Sequence, residues 1–416
     1  MIKAINRGSL KYKFNLLWKL GFSEGNLMNI NRRIITAIFL ITITSISNSY
    51  ADTIKVTSST ISLNIDAKST LKVRSNNTID YANAIPLDVP TPFSINDTSV
   101  DSINSFTGIQ VKFDGTPTGQ PGSKGNGKQT PVFVGAKINH SSEAITPMAY
   151  GTSNQPFTTA RADLSSPTNT MYPYRATGKL FFKIGTASYM CSASLIKKGL
   201  ILTAAHCVSS YGTKTLYTNF QFIPGYRNGV GPYGNWSASK VIVPTSYYTG
   251  KPESTCYSGV LCKDDVALIT VAPQSAKYPG TQTGYYGYGM NGYGYTPTGL
   301  THITQLGYPG TLDNGNYMEI TNSIGLISTE YLNNTIIGSN MGGGSSGGPW
   351  IINFGYAPTL TGAGTPSGYS QNTVVGVTSW GYSSTDVMQM GASPFLSSNL
   401  GALITSACSN KYAGCL

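Results

Sequence analysis

Three short segments carry side chains that can do chemistry together: TAAHC around His206, DDVAL around Asp265 and GSSGGP around Ser346. A serine hydroxyl is too weakly acidic to attack an acyl carbon unaided. An imidazole must take its proton, and a carboxylate must hold that imidazole in one tautomer. His206 is the expected base, Asp265 its orienting partner and Ser346 the attacking group. Histidine is scarce: the chain holds His140, His206 and His302, and of these His206 ends an apolar run, LILTAAHC, that turns into small residues. Glycines flank Ser346 in GGGSSGGPW and leave room for a tight turn whose N–H groups converge. The N–H groups of Gly344 and Ser346 are expected to form an oxyanion hole, where losing one donor costs about 3 kcal/mol of transition-state stabilisation. Taken singly, the segments read as a flexible glycine-rich loop, an ordinary strand start and a core histidine. Their joint occurrence, in type, order and spacing, points to nucleophilic acyl transfer.

These side chains need a rigid frame. From Tyr172 onward, runs such as KLFFKI, GLILTAA, KVIVP, DVALITV and TVVGVTSW recur between turns, an all-β pattern. About 250 residues of it suit two packed barrels with the site in the cleft between them, His206 and Asp265 from the first and Ser346 from the second. Residues 52 to 115 alternate polar and β-branched residues, GTPTGQPGSKGNGKQTP reads as a loop or linker, and the stretch to 166 is poor in large apolar residues. The expected parts are therefore 1–51, 52–166 and 167–416. The middle one reads as a propeptide or a retained N-terminal β-rich segment.

The motifs TAAHC (Thr203 to Cys207), DVAL (Asp265 to Leu268), GSSGGP (Gly344 to Pro349) and TSWGY (Thr378 to Tyr382) resemble those of the chymotrypsin/trypsin-like serine endopeptidases. YPYRATGKLFF and ITQLGYPG bring the likeness closer to the secreted bacterial branch that includes the glutamyl endopeptidases. The resemblance covers roughly Tyr172 to the C-terminus. It implies an all-β fold of two packed six-stranded antiparallel β-barrels, hydrolysis of protein or peptide substrates through an acyl-enzyme, and no cofactor. It favours Asp265 over Asp264 as the orienter, because the family's carboxylate directly precedes the hydrophobic-AL run. Adjacent strand residues point to opposite faces, so one of the two aspartates meets His206 and the other does not. TSWGY is similar to the strand that lines the substrate channel, so Ser379, Trp380 and Gly381 are expected to bind substrate, with Asn340 and Met341 in the specificity pocket.

The pattern departs from the family at three places. Ser345 stands where many members carry an aspartate that pairs with a freed N-terminal amine. Asn340 stands where trypsin-like members carry the aspartate that binds lysine or arginine. Thr378 stands where glutamyl endopeptidases carry a histidine. A neutral pocket for an uncharged residue is expected, unless Asp386 reaches it. Activity is expected to rise as the imidazole loses its proton, about pH 6.5 for a free histidine.

Arg32 and Arg33 precede an apolar run from Ile34 to Ile46, and Ser49-Tyr50-Ala51 supplies small residues where a signal peptidase reads. A signal peptide over 28–51 is expected, starting at Met28 and cut after Ala51. The run is shorter than the roughly 20 apolar residues that span a bilayer, so a secreted chain free of the membrane is expected. Residues 1–51 hold seven of the 28 basic and one of the 17 acidic residues, so the rest carries 21 minus 16, a net +5 rather than +11. No Lys/Arg-dense stretch with interleaved aromatics remains, which argues against nucleic-acid binding.

All six cysteines follow the signal, in keeping with an oxidising compartment. Proximity and the resemblance suggest the pairs Cys191–Cys207, Cys256–Cys262 and Cys408–Cys415. No pair has the C-x-x-C spacing of a zinc site, and no metal is expected. GYYGYGMNGYGY, Gly284 to Tyr295, reads as a surface hairpin or loop in preference to an aromatic binding loop. His140 and His302 read as structural, and a monomer is expected. Two other readings keep the same motifs: a catalytically silent protease-like adhesion or binding protein, and an esterase using the same three residues.

Overall fold

The computed structural model describes residues 54–57, 59–65, 78–91, 122, 132–133, 149–150, 156–163, 167–250, 264–328, 333–355, 370–382 and 388–416. All of them fall within one unit, Asp52–Leu416. The expected signal region, the Cys256–Cys262 pair, His140 and Asp386 lie outside the described residues.

Six short strands come first: β1 (Ile54–Val56), β2 (Thr60–Asn64), β3 (Ile85–Pro86), β4 (Val132–Phe133), β5 (Ala149–Tyr150) and β6 (Phe157–Arg161). There follow β7 (Thr177–Ile184), β8 (Ala187–Lys197), β9 (Leu200–Thr203), β10 (Thr218–Pro224), β11 (Val230–Gly231), β12 (Trp236–Pro244) and β13 (Ala267–Val271). The path β12-β10-β7-β8-β9-β13 closes on itself because β13 also pairs with β12, giving a six-stranded antiparallel barrel. Closure removes the free edges that would otherwise invite pairing with other chains. LILT in β9 and ALITV in β13 are buried at every residue, as near-continuous apolar runs require.

The second half holds β14 (Gly287–Tyr288), β15 (Leu300–Gly307), β16 (Glu319–Ser328), β17 (Asn334–Gly338), β18 (Pro349–Ile352), β19 (Thr373–Val377), β20 (Trp380–Gly381) and β21 (Gln389–Ala392). Its half-barrel sheet follows the path β18-β15-β16-β17-β21. The run from β19 to β20 pairs with β18 at one end and β21 at the other, which brings the two ends of that path together. β16, EITNSIGLIS, alternates buried and more exposed residues, the period of two expected when one face meets a core and the other is wetter. The fold is the chymotrypsin-like double barrel that the motifs lead one to expect.

The N-terminal strands are built into both halves. β2 pairs with the second half of β12, β3 runs parallel to β8, and β6 pairs with β16 over five residues. One apolar cluster fills the first barrel and continues through Leu306, Tyr308, Ile351, Val374 and Val377 of the second, so the halves share a core.

The tyrosine-rich segment is neither a surface loop nor a sticky one. Tyr286 and Tyr288 belong to the shared cluster, while Tyr293 and Tyr295 belong to the second core. The Tyr286 hydroxyl donates to Pro173 O at 2.8 Å, and the Tyr295 hydroxyl lies 2.6 Å from that of Thr335. A buried tyrosine needs such a partner, and here residues far away in sequence supply it. Glycine is required between them: a Cβ on Gly289 would fall 2.4 Å from the Tyr293 ring. Among the described residues, no helix is long and apolar enough to cross a membrane.

Candidate active site

β9 ends at Thr203, and a single 3-10 turn, Ala205–Cys207, carries His206 to the rim of the first barrel. Cys207 is bonded to Cys191 on β8, which pins that turn to its neighbouring strand. His206 faces Asp265, two residues ahead of β13, and the two are linked twice. The His206 backbone N–H donates to Asp265 Oδ1 at 2.9 Å, and its Nδ1 lies 2.8 Å from Oδ2. Both residues are buried. A carboxylate at Nδ1 favours the tautomer with its proton there, which leaves the Nε2 lone pair available. Asp264 turns elsewhere, accepting from Ser246 Oγ and Asn399 Nδ2. The two aspartates, in the turn ahead of β13, thus face different partners.

Ser346 sits in the turn before β18 and is fully buried. Two glycines make this turn possible. Gly344 has φ +90° and Gly347 φ +77°, and a Cβ on Gly347 would lie 2.0 Å from Thr203 Oγ1. Ser345 turns back onto its own loop, donating to Gly342 O at 2.7 Å. Among the described residues, neither His206 Nε2 nor Ser346 Oγ makes a hydrogen bond, although both atoms are buried. Unpartnered buried polar atoms are uncommon, and His206 and Ser346 each carry one here. The Gly344 N–H, by contrast, is engaged: it donates to the carbonyl of Leu87 at 2.9 Å.

The expected pocket residues cluster on the second barrel. Met341 and Trp380 are buried, Asn340 is half-buried, and Asn340 Oδ1 has no partner among the described residues. The Trp380 indole donates to Asn334 Oδ1 at 2.9 Å. A polar chain lies behind them, in which Ser339 Oγ donates to Gln305 Oε1 at 2.7 Å and Gln305 Nε2 to Thr378 Oγ1 at 2.8 Å. The Gly381 N–H donates to Pro90 O at 3.0 Å. The Ser379 hydroxyl donates to Asp265 Oδ2.

Three contributors were not singled out from the sequence. Ser192 on β8 donates to Gly344 O and accepts from the Tyr308 N–H, both at 2.9 Å, so it holds the glycine-rich turn of Ser346 against the first barrel. Gln305 on β15 lies within ITQLGYPG, a segment that carries the resemblance but gave this side chain no expected role. The third is the segment around Leu87, whose only signal is the short apolar stretch AIPLDVP. His302 is exposed on β15. Cys191, His206 and Cys207 come within 4.8 Å of one another, a grouping that can suggest a metal, but both sulfurs are in the disulfide and Nδ1 faces Asp265.

The trypsin family model matches residues 166–392, more than half of the chain, and the chain belongs to that family. It is a serine protease. Among solved structures, it is similar to the protease Anisep from Arthrobacter nicotinovorans at 25% identity, covering 57% of this chain and 96% of that one with a TM-score of 0.44. A thermostable serine protease, AL20, from an extremophilic microorganism is 21% identical over 58% of this chain and 97% of its own, with a TM-score of 0.44. A Glu endopeptidase solved with MPD is 18% identical over 61% and 96%, with a TM-score of 0.42. No curated protein matches the chain.

Proposed function

We propose that this protease is a secreted endopeptidase, made as a precursor, in which Ser346 attacks a peptide carbonyl, His206 takes and returns the proton, and Asp265 orients the imidazole. The observation that carries this reading is the buried His206–Asp265 pair, linked through both carboxylate oxygens, with Nε2 left without a partner. The Gly344 and Ser346 N–H groups stabilise the oxyanion, as a tight glycine turn allows. An acyl-enzyme forms on Ser346 Oγ as the amine leaves with the proton from His206, and water activated by the same imidazole releases the acid.

Asn340, Met341 and Ser379–Gly381 form a neutral pocket that takes an uncharged residue. Residues 28–51 direct export and are removed, and residues 52–166 act as the precursor segment. The enzyme works as a monomer without a cofactor.

The test is labelling of the secreted protein by a fluorophosphonate, with Ser346→Ala beside it, followed by a peptide library. Labelling that disappears in the variant supports the nucleophile, and equal labelling of both proteins overturns it. Strong selection for a basic or acidic residue removes the neutral pocket.

A further inference from the structure

The segment 78–91 precedes the family match yet ends in the cleft. It is anchored on the first barrel: the Asp80 N–H donates to Ser188 Oγ at 2.9 Å, Asn235 Nδ2 donates to the Tyr81 hydroxyl at 2.7 Å, and the Tyr81 ring meets Phe181 edge-on. Ile79 is buried in the shared core. Beyond this anchor the chain crosses the groove through three backbone contacts. The Leu87 N–H donates to Met190 O at 3.0 Å, Leu87 O accepts from Gly344 at 2.9 Å, and Pro90 O accepts from Gly381 at 3.0 Å. Val89 packs against the core cluster that holds Met341. The approach is close: a Cβ on Gly310 would lie 2.3 Å from Pro86 Cγ, and one on Gly343 3.0 Å from Leu87 O.

The chain direction decides what this segment does. A specificity pocket receives the side chain of the residue whose carbonyl is attacked, so a substrate's preceding residues extend along Ser379–Gly381. Its following residues then leave past β8. In residues 85–90 the order is opposite. Ile85 and Pro86, which precede Leu87, lie along Tyr189 and Met190 of β8, whereas Val89 and Pro90, which follow it, lie on the pocket strand. The Asp88 nitrogen, which would have to leave if the Leu87 carbonyl were attacked, stands on the pocket side of that carbonyl.

We infer that residues 85–90 are a built-in inhibitor bound backwards in the substrate groove, occupying the Gly344 oxyanion donor and the Gly381 strand while presenting no bond for hydrolysis. The inference rests on the assignment of the oxyanion turn and pocket under Proposed function. A forward-bound segment would be a substrate that the enzyme consumes. A reversed one survives in place, so release requires the segment to be displaced or cut elsewhere.

The full chain tests this with two readouts, hydrogen exchange at the Gly344 and Gly381 amides and the rate of fluorophosphonate labelling, each in wild type and in Val89→Asp. The substitution sets a carboxylate against an apolar cluster and touches none of the reacting groups. Both amides are expected to be protected in wild type and to lose protection in the variant, with labelling at least about tenfold faster. Because exchange needs no activity, a variant whose amides open while labelling stays absent upholds the segment and rejects Ser346 as nucleophile. Unprotected amides and fast labelling in wild type overturn the inference. So does a Ser346-dependent cut between Leu87 and Asp88, found by sequencing the N-terminus after long incubation, because a reversed segment leaves that bond whole.

Discussion

Asp265 accepts from three donors, the His206 N–H, His206 Nδ1 and Ser379 Oγ, and this convergence is what holds the imidazole still. Replacing it by asparagine sets an amide against Nδ1 and favours the wrong tautomer, so Asp265→Asn is expected to lower kcat by about 10⁴-fold with little change in KM. Ser379→Ala removes one donor of the three and is expected to lower kcat by roughly tenfold, the size of one hydrogen bond to a charged group. Both are read from steady-state kinetics on the released enzyme. Ser192 acts through the loop it ties. Ser192→Ala leaves the buried Tyr308 N–H without its acceptor and frees Gly344 O, so kcat is expected to fall while KM holds, with about 1–3 kcal/mol of stability lost on thermal melting.

Between elements, the Cys191–Cys207 bond ties β8 to the turn that carries His206 across a sequence separation of 16. Removing it as Cys191→Ala/Cys207→Ala is expected to cost about 3 kcal/mol in the chain-entropy model, read as a lower Tm, together with a loss of activity larger than that of folding alone. This bond and Cys408–Cys415 were legible because their cysteines lie close together in a chain with a resemblance to guide the pairing. The strands were legible because long apolar runs report burial directly. GYYGYGMNGYGY was not. Its glycines and hydroxyls read as solvent-facing, and burial there depends on Pro173 and Thr335, which no local window contains.

Across the whole molecule, the N-terminal strands meet the barrels through a charged layer. Arg161 on β6 grips Asp313 through two nitrogens at 2.6 and 2.7 Å, Arg227 pairs with Asp163, and both guanidinium groups lie over the Tyr317 ring. Glu319 sits within this layer, where burial and the neighbouring Asp313 push its carboxyl up to about 9. The folded state therefore keeps a proton that the unfolded chain releases above about pH 4.5, and stability falls as pH rises through that window. Buried Lys179 acts with the opposite sign. Burial pushes it down to about 7, so from there to 10.5 the unfolded chain holds the extra proton and stability rises with pH. Glu319→Gln is consequently expected to flatten the fall in Tm between pH 5 and 6, below the range in which Lys179 titrates. Asp163, in the same layer, is also raised by burial.

The sequence by itself determined the double barrel and singled out the three residues of the proposed site, because both are written locally: apolar runs of strand length, a histidine at the end of one, and a serine among glycines. It also favoured Asp265 over Asp264, and the two do meet different partners, although both lie in the turn ahead of β13 and not on a strand. Tertiary structure alone decided what meets those groups. Ser379 reaches Asp265 and Ser192 ties Gly344 only once two barrels pack, and Leu87 and Pro90 arrive in the cleft from more than 250 residues away in the chain. The direction in which that segment crosses is a property of the path between its anchors, and no pattern within its own few residues records it.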